Sequence, residues 1–539
     1  MKKHGLFKIL LIIIFLLVVL SYFVPNRTSE IAYLGLGDVF INGIQSFYYF
    51  FDTVVFVLVI GGFYGVLSNT LAYKKFLNNI VAKVKPQSKK FIFGTVIVFA
   101  LITALTGLTM PLLVFVPLVV SIILLLGYDK LVALSSTVGA IAIGFIGGLF
   151  ITFKDPTSSY SVNFTSFEKF CSIDNFFVNI FPKILLLVVA CGLFIYYINR
   201  HIKSVEAKKV KYELGSDNDL LVSEVKGNYK DIKTWPVVLV LSLMIILIVL
   251  GFVPWAAFND DLGIKYAVLR WVFTLILGLI FIPVIFDVIK RIKKEKFNST
   301  ILVELISLVV TLGLIVLLQV FTLNFDKLHT TVTNFKIGEF TVFNNVISSN
   351  FAAFGQWATL GNYMMIIILM LLSVIVTKFA CKVKWNDVFD NFLSGTKKML
   401  PAAFIAIIAY TILVCAYNNG FMEHLISSAN ESMGGLNLAM ASLFTVLGSV
   451  LNVDLFYTAV GIFKPIFDTF SDDAMFPVLA MTFQSLFGLV MLVGPTSLIL
   501  IIGLTYLDIP YTTWLKYIWR FLLELIILVF VILLIVTVI

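Results

Sequence analysis

The chain has 539 residues, of which 60% are hydrophobic and only 13% are charged, and its mean hydropathy is +1.04. A soluble domain cannot bury so much apolar surface, and uncharged runs of about 18 residues or more have the length of a membrane span. The net charge of +9 comes mainly from short basic loops between these runs, with no basic–aromatic stripe. Nucleic-acid binding is therefore excluded as a function.

The first apolar run follows Lys2 and Lys3 and imitates a signal peptide, but no small-residue cleavage site precedes Pro25. We therefore predict that residues 1–51 form an uncleaved membrane helix and an external loop. Lysine-rich loops alternate with lysine-poor ones, and the positive-inside rule places the lysine-rich loops in the cytoplasm. The pattern predicts a multi-pass protein of a bacterial plasma membrane with a cytoplasmic N-terminus.

A first group of apolar segments covers residues 52–199. It contains a span, an up-and-down pair at about 91–126, a long span broken at about 154–158, and a closing span. The mixed-charge segment 200–234 predicts a cytoplasmic linker, and 235–398 predicts intervening scaffold helices with an external loop.

Residues 399–539 repeat the order of the first group, with the short pair at about 436–470 and the break at 494–497. Both breaks contain Pro-Thr-Ser, as Asp155-Pro156-Thr157-Ser158 and Gly494-Pro495-Thr496-Ser497. With the lysine-rich loops placed in the cytoplasm, the two groups of spans begin on opposite sides of the membrane. We therefore predict an all-α polytopic membrane protein with two inverted repeats, each with a re-entrant hairpin and a discontinuous transmembrane helix.

Inverted repeats with broken helices are a common construction of secondary transporters, in which backbone groups at the breaks bind the solute. Free N–H groups at a half-helix N-terminus suit an anion, and small hydroxyl, amide and carboxylate groups at the hairpin tips suit a small polar solute. The predicted substrate-binding residues are Thr106, Gly107, Thr109, Asp155, Thr157, Ser158, Asn452, Asp454, Gly494, Thr496 and Ser497.

Three stretches of the sequence resemble a known family. They are "VFVLVIGGFYGVL" (55–67), "LLLGYDKLVALSSTVGAIAIGF" (124–145) and "GPTSLILIIGLTYLDIPYTTWLKY" (494–517). Through them the chain resembles the YfcC-type or C4-dicarboxylate anaerobic carrier family of the ion transporter superfamily. The resemblance implies a homodimer in which each subunit has a scaffold part and a transport part with two hairpins. It also implies ion-driven transport or exchange of carboxylates, amino acids or small peptides.

The sequence thus predicts a secondary active transporter, an ion-coupled symporter or an exchanger, that moves an amino acid or a C4-dicarboxylate by alternating access. No cofactor or resident metal is predicted. The coupling ion stays open between Na⁺ and H⁺, with Asp454 or Asp155 as the residue that would hold it.

A membrane-embedded enzyme and a channel are the alternatives. The chain has no H-E-x-x-H motif, no acidic pairs with the spacing of a phosphate-transfer site, and no Walker A motif, so an enzyme and an ATP-driven pump are disfavoured. Inverted repeats do not exclude a channel. Loops or chain ends are predicted to hold all four histidines, which gives no histidine relay: His4, His201, His329 and His424.

Overall fold

The fold is taken from a computed structural model. The structure describes residues 5–23, 33–149, 180–209, 232–252, 334–341, 363–418, 420–433, 437–451, 458–463, 465–466 and 476–538, and single residues at 212, 214, 289 and 309. The elements before residue 230 are the helices α1 (Gly5–Ser21), α2 (Leu36–Tyr49), α3 (Phe51–Ser68), α4 (Leu71–Val84), α5 (Ser88–Thr106), α6 (Val116–Leu125), α7 (Lys130–Ile146) and α8 (Phe181–Glu206).

The later elements include one short antiparallel hairpin, in which β1 pairs with β2. They are α9 (Trp235–Phe252), β1 (Lys336–Ile337), β2 (Phe340–Thr341), α10 (Met364–Ala380), α11 (Trp385–Asn418), α12 (Phe421–Met433), α13 (Leu438–Leu451), α14 (Phe476–Val493), α15 (Leu498–Tyr506) and α16 (Tyr511–Val538). A 3₁₀ segment, Met110–Phe115, precedes α6, and α7 contains a π-helical turn at Ser135–Gly139.

Six helical stretches among the described residues are long and apolar enough to cross a bilayer. They are Phe51–Ser68, Leu71–Leu105, Phe181–Glu206, Trp385–Asn418, Val478–Tyr506 and Tyr511–Ile535. Because backbone polar groups in hydrocarbon must bond within their own segment, helices of this length are the expected solution. The prediction of an all-α polytopic membrane protein is confirmed.

Local sequence signals set several helix ends. The Thr70 hydroxyl accepts the Tyr73 N–H and starts α4, and the Asp129 carboxylate accepts the Val132 N–H and starts α7. Gly107 ends α5 in the left-handed conformation, with φ of 70°, where a side chain would be strained. These caps satisfy backbone groups that have no partner inside the helix.

The chain forms two compact units, residues 1–227 with 385–539 and residues 228–384. Within the first unit, packing repeats itself. The hairpin arm α5 packs on α7 as α13 packs on α14, and α7 packs on α8 as α14 packs on α16. Equivalent helices also pair with each other, as α3 with α11, α7 with α14, and α8 with α16. This arrangement matches two copies of one structural unit.

The helices α3 and α11 cross at glycines. A Cβ atom added to Gly61 would lie 2.5 Å from the Gly395 carbonyl oxygen, and one added to Gly65 would lie 2.3 Å from the Asn391 carbonyl oxygen. Small residues of this kind allow close backbone approach between membrane helices, where van der Waals packing drives association. The crossing therefore requires glycine at both positions of α3.

The structure differs from the predicted boundaries at three places. The external loop in 1–51 contains α2, whose polar residues Asn42 and Ser46 are buried while its apolar face is exposed. The predicted boundary at 398/399 falls inside a helix, because α11 runs unbroken from Trp385 through Pro401 to Asn418. The helix α8 continues to Glu206, so the polar segment starts later than residue 200.

In the second unit, the described helices α9 and α10 pack against each other. Their sequences are apolar on all sides, as expected for helices that contact lipid or other helices. This unit contains none of the predicted substrate-binding residues.

Candidate functional site

The helix break at 494–497 is present. The helix α14 ends at Val493 and α15 begins at Leu498, with Ser497 in an extended conformation between them. The Gly494 N–H donates to the Val490 carbonyl at 2.5 Å, and the Ser497 hydroxyl turns back to donate to the Met491 carbonyl at 2.7 Å. The turn therefore provides hydrogen-bond donors for the first two of the four terminal carbonyls of α14, those of Val490 and Met491.

Side chains of α16 provide donors for the other two terminal carbonyls of α14. The Trp514 Nε1 donates to the Leu492 carbonyl at 2.9 Å, and the Tyr511 hydroxyl donates to the Val493 carbonyl. Trp514 is fully buried. All four terminal carbonyls of α14 thus have donors, so this end of the break is built as a fixed structure and offers no open carbonyl ring for a cation.

The N-terminus of α15 is different. Ser497 makes no side-chain cap, because its hydroxyl is committed to Met491. The first residues of α15, Leu498 and Ile499, are buried, so water has little access to their N–H groups. A buried helix N-terminus without a cap carries a partial positive charge and open donors, which are the properties of an anion site.

The Thr496 hydroxyl ties the break to the second hairpin. It donates to the Val450 carbonyl at 2.5 Å, in the last turn of the hairpin arm α13. Thr496 is 1% exposed, so this bond forms in an apolar environment where an unpaired carbonyl is costly. The break and the hairpin tip therefore occupy fixed positions relative to each other.

The second hairpin has its own fixed contact and one open hydroxyl. A Cβ atom on Gly448 would lie 1.8 Å from Ile462 Cδ1, so glycine lets the two arms meet. The neighbouring Ser449 is 2% exposed, and its hydroxyl has no hydrogen-bond partner among the described residues. A buried hydroxyl of this kind calls for a ligand or water, and it lies one residue from the carbonyl that Thr496 binds.

The first repeat has a corresponding hydrogen bond to its own hairpin arm. The Leu149 N–H, three residues after the end of α7, donates to the Ala104 carbonyl at 2.7 Å, in the last turn of α5. At the tip beyond it, the Gly107 N–H donates to the Thr103 carbonyl at 2.8 Å, and the Thr109 carbonyl accepts the Leu112 N–H at 3.2 Å. In each repeat, a residue just beyond the end of a long helix is thus bonded to the last turn of the preceding hairpin arm, Leu149 after α7 and Thr496 after α14.

The end of α7 is capped from the other repeat. The Gln484 amide donates to the Gly148 carbonyl at 2.7 Å and to the Phe145 carbonyl at 3.3 Å. The Ser485 hydroxyl donates to the Ile146 carbonyl at 3.2 Å. Both side chains belong to α14, so the second repeat supplies the cap for the end of α7.

A buried cation lies on the helix that packs at this end of α7. A Cβ atom on Gly147 would lie 2.6 Å from Leu187 of α8. Lys183 is one turn before Leu187, on the same face of the helix, and is 4% exposed. Its position after Pro182 corresponds to Tyr511 after Pro510, and Tyr511 binds the end of α14. Sequence reasoning overlooked Lys183 because lysine near a span end usually reaches for the interface.

A polar network joins the other end of α7 to α8 and α16. His201 Nε2 lies 2.8 Å from Asp129 Oδ2, with side-chain exposures of 9% and 14%. The His201 ring packs at 5.0 Å on the Tyr517 ring, and the Ser135 hydroxyl donates to the Tyr517 hydroxyl at 3.2 Å. The prediction that every histidine lies in a loop or chain end is wrong for His201, which is inside α8, and for His424, which is inside α12.

The predicted site residues divide into three groups. Gly494, Thr496 and Ser497 form one turn, bonded to the second hairpin. Gly107 and Thr109 lie at the first hairpin tip together with the backbone of Thr106, and no hydrogen bond among the described residues joins them to that turn. The others lie outside the described residues, as does the predicted first break: Asp155, Thr157, Ser158, Asn452 and Asp454.

Comparison with known proteins gives one match. The sequence model of the C4-dicarboxylate anaerobic carrier family, DcuC, matches residues 9–320 and 308–538. No curated protein and no solved structure matches the chain. The two matched segments together extend over nearly the whole sequence, including both hairpins and the turn at 494–497. The chain therefore belongs to the C4-dicarboxylate anaerobic carrier family, and it is a membrane transporter and not an enzyme.

Proposed function

We propose that the protein is a secondary active transporter of C4-dicarboxylates, an ion-coupled symporter or an exchanger, in a bacterial plasma membrane. The observation that carries the proposal is the buried, uncapped N-terminus of α15, fixed by the Thr496 hydroxyl to the second hairpin. Backbone N–H groups at such a terminus bind a carboxylate without any basic side chain.

The repeated construction favours a substrate with two carboxylates. In the sequence, the Pro-Thr-Ser at 495–497 has a counterpart at 156–158, and the N–H groups near Thr157 and Thr496 would each receive one carboxylate. A neutral amino acid has a single carboxylate and an amine, and it would place a positive charge at one of two anion sites. The dicarboxylate is therefore the better fit of the two predicted substrate classes.

The remaining site groups complete the shell. Ser449 offers an unpartnered hydroxyl beside Val450, and the hairpin hydroxyls of Thr106 and Thr109 lie at the first tip in sequence. Lys183, a buried lysine near the end of α7, is proposed to attract the negative charge of a dianion. Asp454 or Asp155 is proposed to hold the coupling ion, Na⁺ or H⁺.

Alternating access would depend on the hydrogen bond that joins the turn at 494–497 to the second hairpin. Because the turn at 494–497 is bonded to its hairpin arm, that turn and the second hairpin would move together as one body. We propose that this body moves against a scaffold in a homodimer, with the N-terminus in the cytoplasm. Movement of one packed body against another around a fixed site is the usual mechanism of inverted-repeat transporters.

The test is uptake by the purified protein in liposomes. Labelled succinate and a labelled neutral amino acid are offered in separate assays, each under an imposed Na⁺ gradient, an imposed pH gradient and no gradient with internal unlabelled solute. The proposal expects saturable succinate uptake that exceeds amino acid uptake, driven by one ion gradient or by internal succinate. Uptake linear in succinate concentration would indicate a channel, and preferred amino acid uptake would reject the substrate assignment.

A further inference from the structure

A cavity with both polar and apolar groups in its wall lies away from the breaks. It has a volume of about 100 Å³ and lies among α3, α4, α6, α11 and α15, beside the glycine crossing at Gly61 and Gly395. A cavity of this size holds several water molecules or one small solute. Helices of both repeats line it, so its shape depends on how the two repeats pack.

The chemistry of the cavity wall suits an anion. Hydroxyl, amide and ammonium groups line it, and none of its described lining residues is acidic. Its main polar residues are Ser68, Asn69, Tyr73, Asn391, Ser394 and Lys398. Donors without a carboxylate competitor bind a carboxylate solute, whereas a cation would find no negative group in this wall.

One hydroxyl in the wall, that of Tyr73, is buried beside Ser121 without a well-formed hydrogen bond. Tyr73 is 1% exposed, and its Oη has no hydrogen-bond partner among the described residues. Other wall hydroxyls are engaged, since Tyr64 donates to the Val114 carbonyl at 2.6 Å and Ser121 donates to the Pro117 carbonyl at 2.8 Å. An unsatisfied buried donor is destabilising unless a ligand or water completes it, so Tyr73 is an independent pointer to an occupant.

Position and charge identify the class of occupant. Lys74 and Lys75 follow Tyr73 on α4 and Lys397 precedes Lys398 on α11, whereas a single acidic residue, Asp390, directly precedes a wall residue. Basic residues around a cleft raise the local concentration of anions. Tyr506, in the wall, is the last residue of α15, whose first residue follows Ser497. The helix rise of about 1.5 Å per residue puts the cavity about 13 Å from the break.

We propose that this cavity is a staging site that binds the carboxylate-bearing solute on the lysine-rich side, before it reaches the turn at 494–497. Tyr73 Oη and Lys398 Nζ donate to the carboxylate, and Asn391 and Ser394 complete the contact. The proposal rests on the proposed transport of carboxylates. It adds a binding step that is separate from the site at the break.

Ser394, which is exposed at the cavity wall, is a suitable position for a reporter. Ser394→Cys is made in a background with the four native cysteines replaced, after succinate uptake by that background is verified. The rate of modification by a charged methanethiosulfonate is then measured over a range of succinate concentrations. Succinate is expected to slow modification of the thiol in a saturable manner.

Three variants in the reporter background decide the assignment. Tyr73→Phe removes one buried hydroxyl of the cavity wall and keeps the aromatic ring, and it should raise the half-protecting succinate concentration about five- to tenfold. Lys398→Gln should do the same. Tyr196→Phe, which changes a 60% exposed tyrosine of α8, is the matched control and should not change protection. Thermal midpoints of the Tyr73→Phe and control proteins should agree.

Thr496→Val separates this inference from the proposed function. Protection that persists in Thr496→Val while uptake is lost supports a separate staging site. Succinate transport without protection, or protection that disappears in Thr496→Val and is unaffected by Tyr73→Phe, overturns the staging site and leaves the proposed function intact. Absence of succinate transport by the unmodified protein overturns the proposed function itself.

Discussion

The Gln484 side chain of α14 lies 2.7 Å from the Gly148 carbonyl, 336 residues away in the sequence, and donates to it. Together with Ser485, it provides donors for backbone carbonyls at the end of α7 that the helix itself leaves open. The consequence is that the end of α7 depends on donors from the second repeat. The two repeats therefore cannot be regarded as independent halves.

Substitution of Gln484 by Leu should destabilise the protein by about 1–3 kcal/mol, because the Gly148 carbonyl loses its donor in a buried environment. Thermal unfolding in detergent measures the effect. Thr482→Val is the matched control on the same helix, since the Thr482 hydroxyl is buried with no partner among the described residues. Equal stability of the two variants would mean that the amide does not stabilise the end of α7.

Trp514 is expected to stabilise the second break through its indole N–H. Trp514→Phe keeps an aromatic ring but leaves the Leu492 carbonyl without its donor, which should cost about 1–3 kcal/mol. Trp519→Phe, at a 49% exposed position of the same helix, is the control. Chemical or thermal unfolding should show a clear difference between them, and unchanged stability in Trp514→Phe would contradict the role.

The Gly-Pro at 494–495 and the Pro-Thr-Ser that contains it predicted the second break correctly, because both residues oppose a continuous helix. The end of α7 at Ile146 was not predictable in the same way. It comes at Gly147-Gly148, with no proline, and the donors that permit it come from Gln484 and Ser485 in another repeat. Local pattern cannot reveal a cap that exists only after tertiary packing.

Two further features show the same limit. Lys183 and His201 occupy helix positions where an exposed side chain is the ordinary expectation, yet both are largely buried. Their burial follows from the packing of α8 on α7 and α16. Conversely, the sequence located the Thr496 turn, but only the structure supplied its partner, the carbonyl of Val450.

The His201–Asp129 pair should couple energetically. Asp129 also starts α7 by accepting the Val132 N–H at 2.9 Å, so Asp129→Ala removes a cap as well as the pair. A double-mutant cycle with His201→Ala isolates the pair itself, and a coupling energy of about 1 kcal/mol or more is expected for groups this close and largely buried. Additive effects of the two substitutions on unfolding would contradict a stabilising interaction.

Lys183 should contribute to affinity for a dianion. Loss of a buried charged donor in Lys183→Gln should raise the KM for succinate about tenfold or more, and Lys183→Arg should retain part of the affinity. Lys203→Gln, at an exposed position of the same helix, is the control and should keep the KM of the unmodified protein. The KM from initial uptake rates is the measurement, and an unchanged KM in Lys183→Gln would remove the residue from the site.

The most direct test of a dicarboxylate site at the second break is succinate counterflow in proteoliposomes with variants of Thr496. Thr496→Ser keeps the hydroxyl that donates to Val450 and should retain saturable counterflow. Thr496→Val keeps the shape but loses the donor, so the break and the hairpin lose their fixed relation and the rate should fall about tenfold or more, with normal protein incorporation. Full counterflow in Thr496→Val, or no saturable counterflow in the unmodified protein, would contradict the account.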